Sequence, residues 1–253
     1  MTTPNPDKLF TISCLRIWAT KLLHMSSPSL SASLDSDLLM MHVLQVKKNY
    51  LFLHSDQVLT TSEKTQFISL VSRRQKGEPI SYILGKKEFM GLNYQVDSSV
   101  LIPRPDTEIL VEQVCKELNS RTQVQILDIG TGSGCIAISL AKKIEGSLVS
   151  GWDICPKALA VAQRNWQTYN ENTSSSVLFT QQDMTEKFSE KNLSSYDLIV
   201  SNPPYISLKE YQDLCTSVKD YEPFKALVGG EDGLFFYQQL AKKAPLLLKK
   251  DGM

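Results

Sequence analysis

From residue 123 onward the chain alternates strand, turn and helix, a rhythm that very few folds accommodate. Val124-Gln125-Ile126-Leu127-Asp128 reads as a strand, followed by a glycine turn and a helix through Ile136, Ile138 and Leu140. Residues 147–153 read as a second strand, and Pro156 suits the first turn of the helix after it. Residues 177–180 and 197–200 supply a third and a fourth strand. Strands separated by helices predict a mostly parallel sheet covered on both faces, an α/β architecture.

The earlier part of the chain has a different period. Leu9, Ile12, Leu15, Ile17, Trp18 and Leu22 are expected to share one helix face. After the break at Ser26-Ser27-Pro28-Ser29, the residues Leu38, Leu39, Met41, Val43, Leu44 and Val46 continue the helical pattern. Thr61-Ser62-Glu63-Lys64 opens another helix with an Ile68, Leu70, Val71 stripe; Thr61 and Lys64 do not form a capping box, so that start is approximate. A small helical bundle over residues 1–85 is predicted. Gly77-Glu78-Pro79 is expected to end this region.

Residues 88–101 look extended, with Phe89, Leu92, Tyr94 and Val96 as apolar positions and Gly91-Leu92-Asn93 as turn material. A hairpin linker over 86–105 is expected to join the bundle to the α/β domain, 106–253. Pro103-Arg104-Pro105-Asp106 forces an extended entry. Asp106 or Thr107 is expected to cap a helix carrying Ile109, Leu110, Val111 and Val114.

Composition narrows the function. Twenty-seven basic residues balance twenty-seven acidic ones, which argues against gripping long nucleic acid through its phosphates. The five cysteines are scattered without a Cys-x-x-Cys pair, which favours a reducing compartment and argues against zinc. His24, His42 and His54 all precede the glycine turn, so no histidine triad or histidine metal site is expected in the later part. No apolar run reaches membrane-spanning length and no signal-peptide order opens the chain, so a cytoplasmic location is expected.

Asp128-Ile129-Gly130-Thr131-Gly132-Ser133-Gly134 is a Gly-x-Gly-x-Gly turn, not the dinucleotide Gly-x-Gly-x-x-Gly. Alone, such a turn is also compatible with no ligand at all. Asp153 ends the second strand about twenty residues on, where an acid can accept from both ribose hydroxyls. Asp183 follows the third strand, where it can accept from an adenine amino group with Met184 against the ring. At the carboxyl ends of successive parallel strands, the three segments converge on one crevice and point to S-adenosylmethionine.

Ser201-Asn202-Pro203-Pro204-Tyr205 follows the fourth strand. As a bare turn it would be ordinary. As a site, the Asn202 side-chain oxygen and the Pro203 carbonyl offer two acceptors for a planar NH2 group. Tyr205 offers a ring to stack on it. A methyl donor carrying its own positive leaving group needs little beyond proximity and orientation.

With these motifs the chain resembles the HemK/PrmC family of release factor glutamine methyltransferases. The resemblance runs through Arg73-Arg74 with Gly77-Glu78-Pro79-Ile80, Tyr82-Ile83 with Gly85, and Glu88-Phe89 with Gly91. It continues through Leu101-Ile102-Pro103-Arg104-Pro105-Asp106-Thr107-Glu108 and ends with Ala226-Leu227 and Gly229-Gly230-Glu231-Asp232-Gly233-Leu234. It implies a Rossmann-like class I S-adenosylmethionine-dependent methyltransferase domain behind a helical domain that helps to dock the substrate. That substrate is the glutamine of the Gly-Gly-Gln motif in class 1 peptide chain release factors.

Asp128, Gly130, Thr131, Gly132, Ser133, Gly134, Asp153, Asp183, Met184 and Asn202 are the expected cofactor residues. Asn202, Pro203, Pro204 and Tyr205 are expected to hold the glutamine, with Asn202, Pro203 and Tyr205 catalytic. Arg104 and Thr107 either approach the cleft or merely position the domains. Adenine-N6 methylation of nucleic acid, glutamine methylation of a ribosomal protein, and a non-catalytic release-factor-binding fragment are the competing readings. A monomer without direct nucleic-acid or membrane contact is expected. The chain stops at Lys249-Lys250-Asp251-Gly252-Met253, where a fifth strand would begin. Three strands of the complete fold are therefore expected to be absent, with the fourth strand an exposed edge.

Overall fold

A computed structural model describes residues 11–26, 31–118, 121–171 and 173–253. The chain divides after Leu84 into two compact units.

The first unit is helical: α1 (Ile12–Ser26), α2 (Ala32–Leu44), α3 (Lys48–Leu53), α4 (Thr61–Gln75) and α5 (Ile80–Leu84). On α1, Ile12, Leu15, Trp18, Ala19 and Leu23 are buried. Ile17 is 52% exposed, against expectation. Five residues past Ile12 at 3.6 residues per turn, it projects from the far side of the helix. Leu9 and the Ser27-Pro28-Ser29 break lie outside the described residues. On α2 the fully buried apolar residues are Leu39 and Met40, while Met41, Val43 and Leu44 are only partly buried.

Asp35 and Asp37, also buried on α2, each meet an arginine from a neighbouring helix. Arg74 Nε donates to Asp35 at 2.8 Å and Arg16 Nε to Asp37 at 2.8 Å. The start of α4 is sharper than expected. Thr60 is the N-cap, and its hydroxyl and the Glu63 carboxylate exchange backbone N–H groups in a full capping box. The motif lies one residue before the expected start. The short α3 and α5 carry too few turns for their period to show in the sequence.

The second unit opens with an antiparallel hairpin, β1 (Lys86–Phe89) and β2 (Leu92–Gln95). Its turn is Met90-Gly91, both at positive φ, as a two-residue primed turn demands. Leu92 and Asn93, expected in the turn, therefore belong to the strand. The α/β part follows as α6 (Pro105–Leu118), β3 (Gln125–Ile129), α7 (Cys135–Lys143), β4 (Leu148–Asp153), α8 (Pro156–Tyr169), β5 (Ser176–Gln181) and β6 (Leu198–Ser201). Then come α9 (Leu208–Gln212), α10 (Thr216–Lys219), α11 (Phe224–Leu227) and α12 (Phe235–Leu247). Asp106 and Thr107 do not cap α6. Pro105 takes its first position, and both lie within the first turn, where Thr107 N–H reaches the Arg104 carbonyl at 3.0 Å.

The four long-sheet strands run parallel in the order β5-β4-β3-β6. Ile126 faces a core with α6, α7 and α8, containing Val111, Ile138 and Trp166. Leu127 and Ile129 alternate to the other face, with Trp152, Tyr196 and Leu247. The outer side of β6 is not bare. The Ile199 N–H donates to the Met253 carbonyl at 2.8 Å, Met253 N–H to the Asp197 carbonyl at 3.1 Å, and Lys249 N–H to the Tyr196 carbonyl at 2.9 Å. The last residues of the chain thus cover part of the edge that the sequence leaves open.

Candidate active site

The glycine turn, Asp153 and Asp183 lie at the carboxyl ends of β3, β4 and β5, three neighbouring parallel strands. Gly130 and Thr131 N–H groups both reach the Trp152 carbonyl, at 2.8 and 2.9 Å, and lock the turn onto β4. Gly134 sits at φ +79°, and an added Cβ would lie 3.1 Å from Ala162 Cβ, Ile138 Cδ1 and Phe179 Cζ. The turn is therefore closed by packing as well as by backbone conformation.

Asp153 accepts from Gly132 N–H through Oδ2 and from Cys155 N–H through Oδ1, both at 2.9 Å. Burial raises its pKa and these backbone bonds oppose the rise. A carboxylate has roughly four lone-pair positions, so two amides leave acceptor capacity for hydroxyls.

Asp128 is fully buried. Its Oδ2 accepts from the Thr131 hydroxyl at 2.7 Å, while Oδ1, like Ser133 Oγ, has no hydrogen-bond partner. Burial pushes the Asp128 carboxyl up to about 7, and the Thr131 hydroxyl and the Ala137 amide offset this only in part. Two orphaned polar atoms on either side of a glycine turn are costly unless a ligand satisfies them.

Asp183 spends Oδ1 locally, accepting from Thr185 N–H and Oγ1, both at 2.7 Å. Met184 is buried beside Leu127, Trp152 and Tyr196. The glycine turn is also tied from behind. Asn165 on α8 donates to the Ser133 carbonyl at 2.9 Å and exchanges two hydrogen bonds with the Gln95 backbone. Nothing in the sequence marks Asn165, because its partners lie 32 and 70 residues away.

The second half of the site follows β6. Ser201 Oγ donates to the Ile129 carbonyl at 2.7 Å and sets the direction of the chain as it leaves the sheet. Asn202 Nδ2 donates to Thr107 Oγ1 at 3.1 Å, and Oδ1 accepts nothing among the described residues. Pro203 is buried, Pro204 partly so, and Tyr205 is 57% exposed.

A cleft of about 400 Å³ opens here, lined by Asn202, Pro203 and Tyr205 together with Arg104, Thr107, Leu214 and Val218. Arg104 Nη2 meets Glu222 Oε1 at 2.5 Å, and the same buried carboxylate accepts Ile102 N–H at 3.1 Å. Glu222 was not apparent from sequence, being 118 residues from Arg104.

The Gly229-to-Leu234 segment braces this corner. Gly229 N–H donates to the Ile206 carbonyl at 2.9 Å. A Cβ on Gly229 would come within 2.5 Å of the Pro204 carbonyl oxygen, and one on Gly233, at φ +77°, would collide with that of Tyr205. These glycines let two backbone segments touch directly behind Pro204 and Tyr205.

Among the described residues no helix is long and apolar enough to cross a membrane, and no group of three or more His, Cys, Asp or Glu could hold a metal.

The family model "PrmC N-terminal domain" matches residues 15–85, and "Methyltransferase small domain" matches residues 105–218. A release factor glutamine methyltransferase of Clostridium acetobutylicum is 40% identical over 219 residues, 87% of this chain and 76% of that protein. Its namesake in Geobacter sulfurreducens is 40% identical over 222 residues, 88% of this chain and 75% of the relative. In Fusobacterium nucleatum the figure is 42% over 223 residues, 87% of this chain and 61% of the relative. Among solved structures, the hMettl16 catalytic domain aligns with a TM-score of 0.48 at 17% identity, over 75% of this chain and 66% of that one.

Proposed function

This chain belongs to the release factor glutamine methyltransferase family, and we propose that it methylates the side-chain amide nitrogen of the glutamine in the Gly-Gly-Gln motif of class 1 peptide chain release factors, with S-adenosylmethionine as donor. The crevice residues fit that donor. Asp128 Oδ1 and Ser133 Oγ are buried polar atoms without partners, and the Asp153 carboxylate retains acceptor capacity at the end of β4. Asp128, Ser133 and Asp153, with the glycine turn, would hold the cofactor, and Asp183 and Met184 would flank it after β5. When bound, S-adenosylmethionine supplies a methyl group on a positively charged sulfur, an electrophile that needs no further activation.

What the chain's own residues contribute is orientation. Asn202 Oδ1 accepts one N–H of the substrate amide and the Pro203 carbonyl accepts the other, which fixes the nitrogen and increases its electron density. Tyr205 offers its exposed ring to the flat amide. The proton on the methylated nitrogen leaves after transfer, so no histidine is required. The helical unit contacts the release factor. The balanced charge suits recognition of a protein and not of a nucleic acid, and we propose a cytoplasmic monomer.

The observation that carries this reading is the Asn202 amide, anchored through its nitrogen with its oxygen free in the wall of a cleft. Incubation with methyl-labelled S-adenosylmethionine and either release factor, its Gln→Ala variant or duplex DNA tests it. Label should enter the intact factor alone. Label in DNA would establish adenine methylation instead, and factor binding without cofactor binding would establish a non-catalytic binding module.

A further inference from the structure

A carboxamide has two ends of nearly equal size and opposite hydrogen-bonding sense. Rotating it by half a turn costs little, because the terminal torsion of Asn is broad and roughly two-fold. In an acceptor site that rotation is fatal: it replaces an oxygen that receives substrate N–H with a nitrogen that repels it. Something must therefore hold the Asn202 amide in one sense.

We propose that Thr107 is a positioning residue for methyl transfer: its hydroxyl accepts the Asn202 NH2 and anchors the amide with Oδ1 left for the acceptor glutamine. This deepens the reading above and rests on it for the identity of the acceptor. Thr107 is suited to the task because it cannot drift. It is buried. The first turn of α6 that carries it is anchored on both flanks, by Arg104 on the buried Glu222 and by Glu108, whose Oε1 accepts Met90 N–H at 2.8 Å. Thr107 and Glu108 lie three and four residues after Arg104, which immediately precedes the helix. Each reaches a different segment, and Thr107 alone among them reaches the end of β6. The Thr107 and Asn202 side chains also line the same cleft.

The test compares Thr107→Val, which removes the hydroxyl at nearly constant volume, with Thr107→Ser, which keeps it. Methyl transfer to the release factor is measured together with the Asn202 side-chain NH2 signals in the ¹⁵N-labelled full chain, assigned by their loss in Asn202→Ala. Thr107→Val should lower kcat tenfold or more, leave KM for S-adenosylmethionine unchanged, and shift the Asn202 NH2 protons. Thr107→Ser should restore both rate and signal. Thr107→Ala serves as the hydroxyl-free variant should valine disturb folding.

Wild-type kcat in a folded hydroxyl-free variant, or a serine variant as slow as valine, would overturn the proposal. So would unchanged Asn202 signals. If the wild-type chain methylates no release factor, the functional reading fails; the NH2 signals then still decide whether Thr107 holds Asn202.

Discussion

Asp128 shows how one buried side chain couples stability to pH. Its carboxyl is raised to about 7, chiefly by burial, with the nearby Asp153 charge adding to the rise. The folded chain therefore keeps a proton that the unfolded chain has already released near pH 4. The stability due to this group is fully present below the unfolded pKa and is lost as pH rises toward and through 7, with a slope of at most about 1.4 kcal/mol per pH unit. Asp153, also raised, contributes with the same sign. Denaturant melts between pH 5 and 7.5 should show this loss, and Asp128→Asn should flatten it. An unchanged slope in that variant would assign the pH dependence elsewhere. At this scale the sequence placed Asn202, Asp153 and the glycines at strand ends, and the structure has them there. It left open whether Thr107 approaches the cleft, because its partner lies 95 residues away.

Elements behave differently, because local signals set their ends while distant contacts set their faces. Pro156 starts α8 as its type predicts, whereas α6 starts at Pro105 and leaves Asp106 and Thr107 inside the first turn. Ile17 was misplaced because apolarity was counted without its angle, and the true stripe runs through Ala19 and Leu23. Gly229-Gly230-Glu231-Asp232-Gly233-Leu234 was recognisable as a motif but gave no physical reason for itself. Its reason is contact: Gly233 at positive φ lets the loop lie against the Tyr205 backbone. Gly233→Ala combines a left-handed strain with a backbone clash and should cost about 1–3 kcal/mol. Thermal melting should register that loss, and methyl transfer should fall further than stability alone accounts for, since Tyr205 must shift. A variant with wild-type melting and activity would show that this brace is dispensable.

In the second unit, the parallel order β5-β4-β3-β6 brings Asp128 and Asn202, 74 positions apart in sequence, to the same carboxyl end of the sheet. The strand–helix rhythm made this legible, since parallel strands gather their carboxyl ends. The pairing of the chain's last residues along β6 was not legible, because it depends on a turn after α12 with no periodic signal. The central claim is that the end of β6 receives a protein glutamine. Its most direct measurement is mass spectrometry of the release-factor peptide containing Gly-Gly-Gln after incubation with S-adenosylmethionine and either the wild-type chain or Asn202→Ala. One added methyl group on that glutamine is predicted with the wild-type chain, and almost none with an Asn202→Ala variant that melts normally. Equal methylation by both proteins, or a methyl group on another residue, would contradict the account.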